Sequence, residues 1–373
     1  MVFTRRTQEE KTLLIDIGTA TVSGAVMTEG KGGAPRLHSV MRTPLVSGSE
    51  TARAALSGRL EPALAELLGK FSKETPKRVR VVLASPWYEA AIRTITSRSE
   101  KEVSISDRSV LKAVEQYKNE KPPRSGNVDI EALAVQVQVN GYHSHLVKSV
   151  TGKDIAINFY ESETDSETEK HLRRAIEKIF PHAHISYHTF PLVASVALRS
   201  LLNETSFAFV DVAGEMTEIA IIYEDGIHHL SSIPIGYYTI ARAFGSKKSA
   251  VADSLSKLAL YGREELSSVE TGKAAEGFEK AFVPWREAFE KALRAASETV
   301  PIPQKLFLVT DREQMLWLKK GIVAKNPFSL SVVEVNAPLI QNAVELGEAA
   351  SYDPFLALSA LFFHTYHRAL IGE

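Results

Sequence analysis

Two aspartates in this 373-residue chain stand where an apolar strand gives way to small residues. Asp16 follows the apolar run Leu13–Ile15, and Asp211 follows the apolar run Phe207–Val210. After each aspartate a short bend leads into a second apolar segment. A strand–Asp–bend–strand unit that occurs twice in one chain indicates two related halves.

The residue types at the two bends favour a charged small ligand. Strand ends meet at the carboxyl edge of an α/β sheet, so both bends could face one crevice. Paired carboxylates can hold Mg²⁺ through water, and backbone N–H groups of Gly- and Thr-containing turns can hold phosphate. An aspartate at a strand end is also a common turn former, so only the repeat favours a ligand over a structural role. The candidate binding residues are Asp16, Gly18, Thr19, Thr21, Asp211, Gly214 and Thr217, with Asp16 and Asp211 as candidate metal ligands.

The same order of elements is predicted around each aspartate. Apolar periodicity and turn residues predict three meandering strands, a helix, a strand, a helix, a strand and a helix in each half, interrupted by an insertion. The prediction is therefore an α/β protein with two βββαβαβα halves and a crevice between them. The predicted elements include a strand at Arg36–Arg42 in the first half and a helix at Trp285–Ser297 in the second. In the first insertion, strands are predicted at Leu133–Val139, His145–Val150 and Asp154–Tyr160.

The domain organisation follows from that order. The first half is expected to comprise residues 1–85 and 166–203, and a small α/β subdomain is inserted at 86–165. The second half is expected to comprise residues 204–245 and 285–373, with a small helical insertion at 246–284.

Composition excludes several classes of protein. The net charge of −1 argues against a general nucleic-acid binder, which would carry a basic excess. The absence of cysteine removes disulfides, thiolate nucleophiles and cysteine-ligated zinc, and suits a reducing cytoplasm. Residues 1–11 are too polar for a signal peptide, and the most apolar run, Phe355–Phe363, is too short to cross a bilayer. A cytoplasmic protein is expected.

The two bends resemble the phosphate loops of the actin-like ATPases, and specifically those of the FtsA/PilM type from bacterial cell division and type IV pilus assembly. Asp16–Ala20 resembles the first loop and Val210–Ala220 the second. Ser232–Gly236 is similar to the family's Pro-Val-Gly turn, and Phe190–Ser195 resembles the helix that connects the halves. The insertion at 86–165 also lies where FtsA and PilM carry theirs. The resemblance covers nearly the whole chain and implies an actin-like, ribonuclease H-like fold.

The same resemblance implies ATP with Mg²⁺ as the ligand and extends the candidate binding residues to Ala20, Glu215, Gly236 and Thr310. Three departures from the family pattern weaken that implication. Ala213 and Glu215 replace glycines of the second loop, and the charge of Glu215 would repel phosphate. Thr21 stands where the family has a lysine, and the adenosine-side motif Thr-Gly-Gly reads Thr310-Asp311-Arg312. At most a weak ATPase is expected.

The expected function is that of an adaptor or scaffold in bacterial division or envelope assembly. Its partners would be proteins of the division or pilus machinery, and it could self-associate into dimers or filaments. FtsA-like proteins typically end in an amphipathic membrane anchor, whereas Phe355–Phe363 is apolar nearly all round and is typical of a buried helix. Contact with the inner face of the membrane is therefore expected only through a partner, as in PilM. The alternatives are a slow ATPase or small-molecule kinase of the same superfamily, and a nucleotide-independent protein-binding module.

Overall fold

The structure is a computed structural model that describes residues 10–29, 33–45, 53–144, 149–202, 204–223, 226–246, 249–348 and 350–371. The strands in these ranges are β1 (Thr12–Ile17), β2 (Thr21–Glu29), β3 (Pro35–Leu37), β4 (Met41–Pro44), β5 (Arg78–Leu83), β6 (Glu89–Ile105), β7 (Asn127–Val139), β8 (Tyr142–His143), β9 (Val150–Asp165), β10 (His184–Thr189), β11 (Phe207–Val212), β12 (Thr217–Tyr223), β13 (Gly226–Ile233), β14 (Lys305–Thr310), β15 (Ser331–Glu334) and β16 (Glu345–Leu346). The helices are α1 (Arg53–Lys70), α2 (Asp107–Glu120), α3 (Ser166–Ile179), α4 (Phe190–Leu201), α5 (Tyr237–Phe244), α6 (Val251–Gly262), α7 (Ser268–Ser297), α8 (Met315–Ala324), α9 (Ala337–Ile340) and α10 (Pro354–Ile371). None of the helices in the described ranges is long and apolar enough to span a membrane.

Two sheets repeat one topology. In the first sheet β1 pairs antiparallel with β2 and parallel with β5, and β5 pairs parallel with β10. In the second sheet β11 pairs antiparallel with β12 and parallel with β14, and β14 pairs parallel with β15. The strand orders are β10-β5-β1-β2-β3-β16, with β4 also on β2, and β13-β12-β11-β14-β15. The duplicated α/β architecture predicted from the repeat is confirmed.

The third strand of the first half differs from the prediction. Instead of one strand at Arg36–Arg42, the chain forms β3 and β4, which both pair with β2 at different places along it. Residues 38–40 form no strand between them. The division matters because it places Arg42 on β4, opposite Ser23 of β2 and within hydrogen-bond reach of the Thr21 hydroxyl.

The inserted subdomain is a four-stranded sheet in the order β6-β9-β7-β8, with α2 packed on it. Its strands are longer than predicted. The 16-residue β9 replaces the short strand at Asp154–Tyr160, and the 17-residue β6 was not predicted. Of the strand predicted at His145–Val150, residues 145–148 lie outside the described residues and Val150 begins β9.

The central core lies between the two sheets. The helices α4 and α10 pack on one another there, and α10 also contacts strands of both sheets. The ring of Phe190 on α4 lies 6.3 Å from that of Phe209 on β11 and 5.2 Å from that of Phe355 on α10. Phe355–Phe363 is buried along its length, as expected for a core helix. The last helix therefore joins the halves, although its sequence position assigned it to the second half.

The predicted helix at Trp285–Ser297 is the last part of a longer helix. α7 runs without a break for 30 residues from Ser268, with Pro284 in its interior. Phe282, Trp285 and Phe289 are buried around the proline, and the last two rings stack at 4.8 Å. This packing keeps α7 continuous at Pro284, which has no N–H for a helical hydrogen bond. The boundary predicted between 284 and 285 thus falls inside one helix.

Candidate functional site

The two aspartates of the repeat lie one residue before the ends of the central strands β1 and β11 and are both buried, each only 2% exposed. Burial raises the pKa of Asp16 well above its ordinary value, the charge of Asp353 adds to the rise, and Arg42 opposes it. Burial likewise raises the pKa of Asp211, with further rises from the charges of Glu218 and Asp16. Each aspartate keeps one buried carboxyl oxygen, Oδ1, without a hydrogen-bond partner among the described residues. The structure therefore brings the two carboxyls close enough that the charge of Asp16 affects the pKa of Asp211.

The two bends touch. The backbone N–H of Glu215 donates a hydrogen bond of 3.0 Å to Oγ1 of Thr19. A methyl group built on Gly214 would lie 2.9 Å from Cβ of Ala20, which is closer than carbon atoms pack. The bends are thus in van der Waals contact as well as hydrogen-bonded.

The carboxylate of Glu215 faces a guanidinium. Nη1 and Nη2 of Arg242 on α5 donate to its two oxygens at 2.9 and 2.6 Å. Nη2 also donates to Oγ1 of Thr239 at 2.9 Å, which fixes the arginine on its own helix. Glu215 is 2% exposed, so this two-point pair is what permits its burial.

Gly18 and Gly236 are held by the chain around them. The N–H of Gly18 donates to the carbonyl of Thr21 at 3.1 Å, and its carbonyl accepts from Nε1 of Trp87 at 2.8 Å. Trp87 is fully buried at the entry to the inserted subdomain. A methyl group on Gly236 would lie 2.3 Å from the carbonyl oxygen of Ala213, so only glycine permits this backbone approach.

The hydroxyls of two other predicted residues serve the scaffold. Thr217 donates to the carbonyl of Ile235 at 2.7 Å and accepts from Nε1 of Trp285 at 2.8 Å. Thr310 donates to the carbonyl of Val212 at 2.7 Å. These bonds tie the second bend to its neighbours.

Three important residues were not among the candidates. Arg42 on β4 contacts the carboxylate of Asp311, lies 3.0 Å from Oγ1 of Thr21 and 3.5 Å from Oδ2 of Asp353. Asp311 also accepts a hydrogen bond from the hydroxyl of Tyr237. Asp311 was noted only as an obstruction, and no local motif marks Arg42 or Asp353 because the three meet from three distant elements.

A second buried acid lies beside Asp211. Burial raises the pKa of Glu218 from its ordinary 4.5 to about 8, although a hydrogen bond from the hydroxyl of Tyr88 lowers it. Tyr88 belongs to the root of the inserted subdomain, and Glu218 pairs with Asp211 across β11 and β12. The root thus contacts the second half as well as the first. In the described ranges, no group of three or more His, Asp or Glu side chains is arranged to hold a metal ion.

No protein-family model and no curated protein matches the chain. A chain of the PilM–PilN type IV pilus biogenesis complex superposes on it with a TM-score of 0.64 at 14% identity, over 96% of this chain and 99% of that one. The protein has an actin-like, PilM-type fold. Two weaker likenesses were found. A Bacteroides thetaiotaomicron protein with an actin-like ATPase fold and unknown function superposes with a TM-score of 0.40 at 13% identity, over 96% of this chain and 98% of that one. The ethanolamine utilization protein EutJ of Carboxydothermus hydrogenoformans superposes with a TM-score of 0.45 at 12% identity, over 96% of this chain and 92% of that one.

Proposed function

We propose that this protein is a PilM-like adaptor of the pilus or division machinery whose nucleotide site is weakened or lost. It would bind the cytoplasmic segment of a membrane protein and so reach the inner face of the membrane. The observation that carries the proposal is the direct contact between the two bends, in which the N–H of Glu215 donates to Thr19 and Gly214 lies against Ala20.

That contact uses the groups that a phosphate would need. Phosphate binds in bends through unpaired backbone N–H donors. Here the N–H groups of Gly18 and Glu215 already have acceptors inside the protein. The carboxylate of Glu215 adds a negative charge at the same place, and its guanidinium partner is already engaged by both of its oxygens. A triphosphate would therefore have to break these contacts before it could bind.

The acidic residues also fit Mg²⁺·ATP poorly. Burial raises the pKa values of Asp16 and Asp211, so a divalent ion, which needs ionised carboxylates, would have to displace their protons. The guanidinium of Arg42 is a positive charge in the same neighbourhood and would repel the ion. Metal-assisted phosphate chemistry is therefore no part of the proposed function.

An adaptor needs a rigid body and surfaces for partners. The hydrogen bond between the two bends and the shared core of α4 and α10 join the two halves. The root of the inserted subdomain is bonded to Gly18 and Glu218, so its outer surface is held in one orientation relative to both halves. Dimers or filaments would use the same outer surfaces.

The test is to co-express the protein with each membrane protein encoded by a neighbouring gene and to titrate it with synthetic peptides of their cytoplasmic tails. The proposal expects one tail to bind with the same affinity in the presence and absence of Mg²⁺·ATP. Tail binding that requires ATP would contradict it. Steady phosphate release that disappears in Asp211→Ala would instead favour the slow ATPase or kinase.

A further inference from the structure

We infer that the guanidinium of Arg42 is the resident cation of an acidic site built by both halves, and that this site takes guanidinium-type cations rather than a divalent metal ion. The inference deepens the proposed function, because it says what occupies the cleft in place of Mg²⁺. It rests on contacts separate from those between the two bends.

The site gathers carboxyls from three elements around one positive charge. Asp16 is the penultimate residue of β1, Asp311 follows β14, and Asp353 precedes α10. Electrostatic interactions connect all three with one another and with Arg42 on β4. The side chain of Arg42 is 28% exposed, whereas Asp16 is 2% and Asp353 1% exposed. Such a set of buried acids requires a cation or protons among them.

The contacts match the shape of a guanidinium. Nη2 of Arg42 contacts Oδ1 of Asp311 and donates to Oγ1 of Thr21 at 3.0 Å, while Nη1 lies 3.5 Å from Oδ2 of Asp353. The two nitrogens of a planar fork thus reach two carboxylates in different directions. The single ammonium of lysine lacks this geometry.

The far oxygens of both carboxylates are fixed as well. Oδ2 of Asp311 accepts from the hydroxyl of Tyr237. Oδ1 of Asp353 accepts from the N–H groups of Phe355 and Leu356, both at 3.0 Å, and so caps α10. The carboxylates of Asp311 and Asp353 are therefore held toward Arg42 by supports of their own.

Two buried carboxyl oxygens of the site are left without a hydrogen bond in the part of the chain that the structure describes. Oδ1 of Asp16 and Oδ2 of Asp353 have no hydrogen-bond partner among the described residues. Mg²⁺ would need near-octahedral oxygen ligands at about 2.0–2.1 Å. The acids in the described ranges are not arranged in this way. A guanidinium, whose donors meet carboxylate oxygens at about 2.7–2.9 Å, needs no octahedral set of ligands.

Chemical rescue tests the inference. Arg42→Ala should lower the midpoint of thermal unfolding, and low-millimolar guanidinium chloride should raise it again by several degrees in a saturable manner. The same salt should lower the midpoint of the wild type slightly, and sodium chloride at equal ionic strength should leave the variant unrescued. Asp311→Asn added to Arg42→Ala should abolish the rescue, because it removes the principal partner.

Further measurements keep the inference testable if Arg42→Ala does not fold. Arg42→Lys retains the charge and should have an intermediate midpoint. Wild type titrated with MgCl₂ should show no saturable shift. A guanidinium response equal to that of sodium chloride would overturn the inference, as would a saturable Mg²⁺ shift in the wild type that is lost in Asp16→Asn. Neither result changes the contact between Thr19 and Glu215, so the adaptor proposal would remain to be judged by its own test.

Discussion

The backbone N–H of Glu215 donates a hydrogen bond to the side chain of Thr19, which stands 196 residues earlier in the chain, at 3.0 Å. Each residue lies in one copy of the same strand–Asp–bend unit. The bond therefore joins two equivalent points of a duplicated fold, at the place where such bends could otherwise share a phosphate. The two bends are thus held together by the protein's own atoms.

Thr19→Val removes the acceptor of that bond and keeps the size of the side chain. Thr19 is 1% exposed, so the N–H of Glu215 would be left buried and unpaired. The free energy of unfolding should fall by about 1–3 kcal/mol. Urea unfolding measures the change, with Thr19→Ser as the control that retains the oxygen. Equal stability of the two variants would count against the bond.

The pair formed by Glu215 and Arg242 can be tested by a double-mutant cycle. Glu215→Gln and Arg242→Met each weaken it, and the double variant should be more stable than the sum of the single effects implies. Because the side chain of Arg242 is 25% exposed, solvent reduces the expected coupling to about 1 kcal/mol. Unfolding free energies of the four proteins give this number. A coupling of zero would mean that the buried carboxylate is not held by the arginine.

The buried carboxyl of Glu218 should make stability depend on pH. Its pKa in the folded protein is about 8 against an ordinary 4.5, so between these values the folded state holds a proton that the unfolded state releases. Its contribution to stability is complete below pH 4.5 and declines as pH rises through 8, with a slope of at most about 1.4 kcal/mol per pH unit. Asp16 and Asp211, whose pKa values are also raised, act in the same direction.

Glu218→Gln tests this dependence. The amide cannot ionise but still offers an oxygen to the hydroxyl of Tyr88. Urea unfolding at a series of pH values should therefore give a flatter profile for the variant than for the wild type between pH 4.5 and 8. Identical profiles would show that Glu218 does not carry the effect.

Two glycine substitutions should change the stability of the protein in opposite directions. A methyl group on Gly236 would lie 2.3 and 2.4 Å from two carbonyl oxygens of the second bend, so Gly236→Ala must displace backbone and should destabilise by about 1–3 kcal/mol. Gly272 lies exposed within α7, where a methyl group meets no atom within 4 Å. Gly272→Ala should stabilise by about 0.5–1 kcal/mol. Thermal unfolding of both variants measures the two effects, and equal effects would contradict the tight packing around Gly236.

The parts of the fold that sequence periodicity predicted are those in which local and tertiary preferences agree. The strands β1 and β11 are buried along their whole length, and the small residues that follow each of them are typical of turns. The duplication was recognisable because both copies keep this pattern. β6 was missed because most of its residues are exposed and many are charged, so it has no apolar face to detect.

The sequence predicted only those site residues that a local pattern marks. Asp16 and Asp211 could be located because each follows its own apolar strand. The partners that decide their chemistry arrive from elsewhere: Arg42 and Asp311 are 269 residues apart, and Tyr88 and Glu218 are 130 apart. Glu215 was expected to repel phosphate, but its pairing with Arg242 on the next helix has no signature in spacing. Such contacts follow from tertiary packing and not from any motif.

The most direct measurement is a calorimetric titration of the wild-type protein with Mg²⁺·ATP up to millimolar concentration, followed by the same titration with Asp211→Asn. Because the bends bind one another and the N–H groups of Gly18 and Glu215 are already bonded, we expect no saturable heat in either titration. Saturable binding by the wild type that disappears in Asp211→Asn would contradict the account, since it would show that the two bends separate to hold a nucleotide.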